Sequence, residues 1–271
     1  MSNITLSAGV RQNLLALQSI SKQLQSTQEH LATGKKVNSA LDNANEYFTS
    51  QGLTNRANSL SSLLDGITNG INTINAANNG ISAITKLVQS AQALVTEAQQ
   101  TSDTTVRSSL ATQYDSILTQ IDQLAADSGY NGTNLLSSNS LTLTLNETGT
   151  STATVSGVSD TSAGLSIGTS QSAWAGTTDI AVAATDLTTA LTTLQSQSAS
   201  LSSSLSTIQI RSDFTTAMIN TLQGGANDLV AADTNAEGAN LLALQTQQSL
   251  STTALSLSVQ SDRNVLKLFG G

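Results

Sequence analysis

A chain of 271 residues with net charge −8, 38% hydrophobic, 10% charged and only 3% aromatic residues is long enough for one large or two small domains. It lacks the rings on which a single thick core normally draws. With no Cys and one His, His30, it excludes disulfides, thiolate metal sites, thiol nucleophiles and histidine-cluster metal centres, so no metal and no cofactor is expected. No Pro occurs, and nothing forces a helix to stop. The longest apolar run, Ile180 to Ala184, is far short of a membrane span or the core of a cleaved signal peptide. A soluble chain that does not insert into membranes, and that leaves the cell without cleavage if it is exported, is the expectation.

Residues 1–36 hold Arg11, Lys22, Lys35 and Lys36 against Glu29 alone, which leaves the remainder strongly acidic. This basic stretch has neither the density nor the aromatics of a nucleic-acid binder and reads as a solvated helix face or a contact for an acidic partner. Between residues 10 and 31, Val10, Leu17, Leu24 and Leu31 recur every seven positions, with Leu14 and Ile20 beside them, as one apolar stripe on a helix. Ser21 and Gln28 interrupt the stripe, so the helix is a weak core former alone and should pack in an assembly. Past Gly34, the residues Asn38, Ser39, Asp42 and Asn43 are caps and turns.

A longer repeat follows in steps of four and three: Leu60, Leu64, Ile67, Ile71, Ile74, Asn78, Ile81, Thr85, Val88, Gln92 and Val95. It predicts a coiled-coil seam of about five heptads. Gly66, Gly70 and Gly80 lie inside it, each costing about 1 kcal/mol relative to Ala. They sit in a periodic helix and not in a strand-to-helix turn, so they read as sites of close helix approach, not as a phosphate cradle. Beyond Ser102-Asp103, a shorter helix carries Val106, Leu110, Ile117, Ile121 and Leu124 and should end near Asp127-Ser128-Gly129.

Residues 130–180 change character. Leu141-Thr-Leu-Thr-Leu alternates with period two, Thr152-Ala-Thr-Val follows, and Gly149, Gly157, Gly164 and Gly168 punctuate the stretch, which predicts short strands and hairpins. Its polar composition predicts no large buried seam and an exposed position suited to O-linked glycans. Helical periodicity returns with Leu187, Leu191, Leu194, Ser198, Leu201, Leu205, Ile208, Ser212, Thr215, Ile219 and Leu222, and Gly224-Gly225 offers a helix end or hinge. The last segment is a second terminal helix wanting burial, with Leu241, Leu242, Leu244, Leu250, Leu255, Leu257, Val259, Val265, Leu266, Leu268 and Phe269.

The layout is nearly symmetric about its middle, so the two ends must meet. The expected fold is mainly α: a long antiparallel coiled-coil or helical-bundle rod with a small β-hairpin insertion and paired N- and C-terminal helices. The boundaries read as 1–40 and 226–271 for the terminal helices of an inner coiled coil, 41–136 and 181–225 for the rod, and 137–180 for the insertion. His30 lies on a packing helix and the carboxylates are scattered singly, so no constellation supports catalysis.

Several strings carry a family resemblance. Leu31-Ala-Thr-Gly-Lys-Lys-Val-Asn-Ser-Ala-Leu-Asp42 follows the first helix. Ile121-Asp-Gln-Leu-Ala-Ala-Asp-Ser-Gly-Tyr-Asn-Gly-Thr-Asn-Leu-Leu136 contains an x-Asn-Gly-x-x-Leu-Leu turn, and Ser261-Asp-Arg-Asn-Val-Leu-Lys-Leu-Phe269 closes the chain. Together they resemble the bacterial flagellins over about residues 1–136 and 185–271. The resemblance implies a subunit of the extracellular flagellar filament that polymerises with itself for swimming. It also implies an export chaperone, cap and junction proteins as partners, and termini that fold on assembly. The residues expected to carry assembly are Val10, Leu14, Leu17, Leu24, Leu31, Leu241, Leu244, Leu255, Leu257, Val265, Leu266 and Leu268. Alternatives are a hook-associated junction protein or a secreted coiled-coil effector or adhesin. In flagellins that the vertebrate toll-like receptor recognises, a rod helix presents an Arg, a Leu four positions on, and a Glu on the neighbouring helix. The corresponding places here hold Gln89, Ala93 and Gln113, and neither Arg nor Lys occurs from Leu87 to Asp103. Weak or absent receptor activation is therefore expected.

Overall fold

The computed structural model describes residues 7–269, with side chains for residues 7–264. Its elements are α1 (Ala8–Thr33), α2 (Ala44–Gln100), α3 (Thr104–Asp127), the strands β1 (Leu141–Thr144) and β2 (Thr152–Val155), α4 (Thr177–Val230) and α5 (Thr234–Phe269). The chain forms two compact units, residues 1–55 with 221–271, and residues 56–220. The mainly helical class with one small hairpin is as the pattern predicts.

In the first unit, local chemistry sets the starts of α1, α2 and α5 and the end of α1. Ser7 Oγ accepts the Val10 amide to start α1, and Gly34, at φ +66°, ends it in the left-handed conformation that costs glycine nothing. The loop then zips onto the α4–α5 junction. The Lys36 amide donates to the Val230 carbonyl at 2.7 Å, and the Ala232 amide donates to the Gly34 carbonyl at 2.9 Å. Asp42 Oδ2 takes the amides of Asn38 and Ser39 at 3.0 and 2.9 Å, which holds its carboxyl below the usual range. Asn43 Oδ1 accepts the Glu46 amide to begin α2, and Asp233 Oδ1 accepts the amides of Asn235 and Ala236 to begin α5.

Gly224-Gly225 does not end a helix: α4 runs through both to Val230. The reason is tertiary. Ala226 and Val230 are buried, and Ser50 Oγ donates to the Ala226 carbonyl at 2.9 Å, so packing outweighs the roughly 1 kcal/mol that each glycine costs.

In the second unit, the expected seam of α2 faces inward at each of its positions from Leu60 to Val95, as does that of α4 from Leu187 to Ile219. A further row on α2, namely Gly70, Ala77, Ile84, Ala91 and Ala98, is also buried, giving the helix a second packing face. Two of the three glycines do mark close approach. A Cβ on Gly70 would fall 2.6 Å from the Leu143 methyls, and one on Gly80 would meet Ser128 Oγ and Leu136. Gly66 has nothing within 4 Å, so for it the expectation fails. Asp103 caps α3, and Arg107, buried, donates its Nε to the carbonyls of Ala98 and Thr101 at 3.2 and 2.8 Å, closing the end of α2. Val106, expected in the α3 stripe, is exposed, and Tyr114 and Leu118 are buried instead.

The Asn131-Gly132 turn has φ of 47° and 81°, as a type I′ turn demands, and pairs Tyr130 with Thr133. Asn134 Nδ2 then caps the carbonyls of Ala125 and Ala126 at 2.8 and 2.9 Å, which delivers Leu135 and Leu136 into the core. The insertion that follows holds the antiparallel pair β1–β2. Contrary to the expectation from its polarity, it supplies Leu143, Val155, Leu165, Ile167 and Trp174 to the core that α2, α3 and α4 share. Leu143 and Val155 come from the strands that the alternation predicts, whereas Leu165, Ile167 and Trp174 lie outside any periodic run, and each is buried. The hairpin tip is tethered by an Arg56–Glu147 ion pair and by Arg211 reaching Ser151 Oγ.

Candidate assembly surface

Helices α1 and α5 pack antiparallel. Asn13 Nδ2 donates to Ser258 Oγ at 3.0 Å near one end, and His30 Nδ1 donates to Glu237 Oε1 at 2.9 Å near the other. The inward face of α1 is Val10, Asn13, Leu17, Ile20, Leu24, Thr27 and Leu31, alternating steps of three and four. That of α5 is Glu237, Leu241, Leu244, Gln248, Ser251, Leu255 and Ser258, in the same rhythm. This is coiled-coil geometry. Of the expected assembly residues, Val10, Leu17, Leu24, Leu31, Leu241, Leu244 and Leu255 are thus brought together in one seam. The side chains of Val265, Leu266 and Leu268 lie outside the described residues.

The seam is half polar, and its polar members were not legible as such. Asn13, Thr27, Gln248, Ser251 and Ser258 look like breaks in an apolar stripe, but they occupy heptad seam positions, and Asn13 and Ser258 bond across the pair. His30, read as a surface or packing residue, forms a cross-helix hydrogen bond with Glu237, and this hydrogen bond is the main reason the Glu237 carboxyl is held below its usual range. A shallow cavity of about 400 Å³ lies against this pair, lined in part by Gln23, His30, Glu237 and Gln247.

Leu14 and Leu257 face the other way. Leu257 is 69% exposed, beside Leu242 at 67% and Leu250 at 65% on α5 and Leu15 at 65% on α1. With Thr246 and Thr253 between them, the α5 leucines recur at helical spacing along the side that α1 leaves uncovered. Each leucine forgoes about 1.5–3 kcal/mol of burial. The described residues leave this apolar outer stripe of α5 uncovered.

Gln89 and Ala93 on α2 and Gln113 on α3 are all exposed. Among the described residues no cluster of His, Asp and Glu could hold a metal ion, and no helix is long and apolar enough to cross a membrane.

The family model described as the bacterial flagellin N-terminal helical region matches residues 10–142. Flagellin FljK of Caulobacter vibrioides is 30% identical over 275 aligned residues that cover 99% of each chain. The chain belongs to the flagellin family. A flagellin of Brucella melitensis is likewise 30% identical, over 288 aligned residues covering both chains end to end. The crystal structure of Bacillus cereus flagellin aligns with 69% of this chain and 94% of its own at 20% identity and a TM-score of 0.42. The chain is accordingly a structural subunit of the flagellar filament and not an enzyme, and the likeness to flagellins along its whole length gives no support to a junction protein or a secreted effector.

Proposed function

We propose that polymerisation runs through the α1–α5 pair, with the outer leucines of α5 buried against neighbouring subunits. Supporting this reading is the exposed row Leu242, Leu250 and Leu257 beside a seam already filled by Leu241, Leu244 and Leu255. A contact between two different patches whose rotation does not close a ring propagates as an open helix. In this reading residues 1–40 and 226–271 form an inner coiled coil, 41–136 and 181–225 the rod, and 137–180 the outer surface. Val265, Leu266 and Leu268, whose side chains lie outside the described residues, are included in the assembly set on sequence alone. An export chaperone would cover the same leucines before secretion, the chain would leave the cell without a cleaved leader, and cap and junction proteins would meet the filament ends. Replacing Leu242, Leu250 and Leu257 together by Gln should leave the helical content of the monomer unchanged and raise the concentration needed for filaments at least a hundredfold, read by sedimentation. Assembly at the normal concentration would overturn the proposal.

The exposed patch at Gln89, Ala93 and Gln113 supports a second part of the reading, weak or absent activation of the toll-like flagellin receptor. An Arg hot spot in an interface is worth about 2 kcal/mol or more, a factor of roughly 30 in affinity. Gln supplies no charge, and Ala93 removes most of an apolar anchor. Soluble monomer titrated on receptor-expressing reporter cells should be at least that much less potent than a flagellin with the Arg and Glu, and Gln89→Arg should recover part of the difference. Equal potency would refute it.

A further inference from the structure

The two cross-helix bonds of the first unit, Asn13 to Ser258 and His30 to Glu237, fix how far along α1 each residue of α5 lies. In that register the inward faces meet as the layers Val10–Ser258, Asn13–Leu255, Leu17–Ser251, Ile20–Gln248, Leu24–Leu244, Thr27–Leu241 and Leu31–Glu237. Only Leu24–Leu244 is apolar on both sides. Sliding α5 along α1 by one heptad keeps every paired residue in the seam, because the pattern repeats at that interval. A slide that brings Leu244 opposite Leu17 also brings Leu241 opposite Ile20, and a slide the other way pairs Leu244 with Leu31 and Leu255 with Ile20. Each alternative therefore has two wholly apolar layers where the observed register has one. The layers lost at the ends of a slid pair are half polar, so apolar burial does not single out the observed register.

We infer that the polar cross-links and a backbone clasp, not the leucines, set the register of α1 on α5. The clasp joins the end of α1 to the start of α5. Lys35 and Ala231 pair as an antiparallel bridge, the Lys36 and Ala232 amides donate to the Val230 and Gly34 carbonyls at 2.7 and 2.9 Å, and Val37 and Val230 are buried. A slide of one heptad is a displacement of about 10 Å at 1.5 Å per residue, which breaks all of these contacts. The cross-links act with the clasp. A slide towards Leu17 would set the Glu237 carboxylate opposite Leu24 and away from His30, an unpaired charge against an apolar residue. A slide towards Leu31 would carry Glu237 past the end of α1 at Thr33. Polar seam residues give up stability and specify one register. The consequence for assembly rests on the reading proposed above: the register decides where Leu242, Leu250 and Leu257 stand relative to Leu15 of α1, so a slipped pair presents its neighbours with a different stripe.

Because the chain has no cysteine, the register can be read by disulfide closure in the unassembled full chain under a glutathione redox buffer. Leu244→Cys is combined in turn with Leu24→Cys, Leu17→Cys and Leu31→Cys. The first pair closes in the observed register, and the other two close in the slid ones. In the otherwise wild-type chain the 24–244 pair should close at least about tenfold more than either alternative, the preference that one apolar layer can give. In the background Asn13→Ala, His30→Ala and Ala232→Pro, where Pro removes the amide that bonds Gly34, that preference should vanish, and 17–244 or 31–244 should close at least as readily. Persistence of the 24–244 preference in that background, or its absence from the wild-type chain, would overturn the inference. So would closure of none of the three pairs in that background, since these groups would then hold the helices together without choosing their register. Each disulfide forms within one subunit, so the outcome is separate from whether the outer leucines carry assembly.

Discussion

Deletion of residues 240–271 is expected to abolish filament formation while the unit of residues 56–220 stays folded. The deletion removes Leu241, Leu244 and Leu255 from the seam with α1, and Leu242, Leu250 and Leu257 from the outer stripe. At about 1.5–3 kcal/mol for each leucine fully buried, the loss exceeds what any subunit contact could absorb. Among the described residues, the shared core of α2, α3, α4 and the insertion contains none of α5, so its cooperative unfolding should persist. Sedimentation and circular dichroism on the truncated chain check both halves. Filaments of normal stability would refute the role of α5, and a chain with no residual helix would refute the independence of the second unit.

Trp174→Ala should be the most damaging single substitution in the second unit, at about 3–5 kcal/mol. The indole is completely buried and lies with its ring centroid 5.0 Å from that of Tyr114. Tyr114 in turn donates its hydroxyl to the Gly168 carbonyl at 2.9 Å, and its burial pushes the phenol well above its usual range. The backbone that presents the indole is strained. Ser172, Ala173 and Trp174 have φ of 50°, 49° and 58°, a left-handed run that costs about 1–2 kcal/mol per residue for side chains with a Cβ. Burial of the large ring offsets that strain, so without it the turn should relax and expose residues 171–176. A urea unfolding curve of the variant gives the stability, and limited proteolysis locates the loosening. A loss below about 1 kcal/mol would mean that the turn is held by something other than Trp174.

Much of the helical fold was legible because leucine and isoleucine dominate it. The seams Leu60–Val95 and Leu187–Leu222 read directly from steps of three and four, and Gly34 and Asp103 act as the caps their chemistry suggests. The second face of α2 was not legible, since Gly70, Ala77, Ala91 and Ala98 contribute little to a hydrophobic pattern. They are selected for closeness of approach, which no single-sequence pattern displays. Polar heptad positions hid half of the α1–α5 seam for the same reason. Thr27, Ser251 and Ser258 resemble solvent-facing residues until the partner helix is placed against them. The insertion misled in the opposite direction. Its average polarity is high, but Leu143, Val155, Leu165, Ile167 and Trp174 each fill a gap left by a helix, and burial is decided residue by residue, not by mean composition. Gly224-Gly225 shows propensity losing to packing at Ala226 and Val230.

The claim that the outer stripe of α5 is buried between subunits is tested most directly by thiol labelling, which the absence of cysteine makes clean. One cysteine would replace Thr253, exposed between Leu250 and Leu257, and in a second variant Thr148, exposed at the hairpin tip. Labelling rates would be compared in monomer and in assembled filament. The account predicts that assembly slows labelling at position 253 by at least a hundredfold and leaves position 148 within a few-fold of its monomer rate. Equal labelling of position 253 in monomer and filament would contradict it.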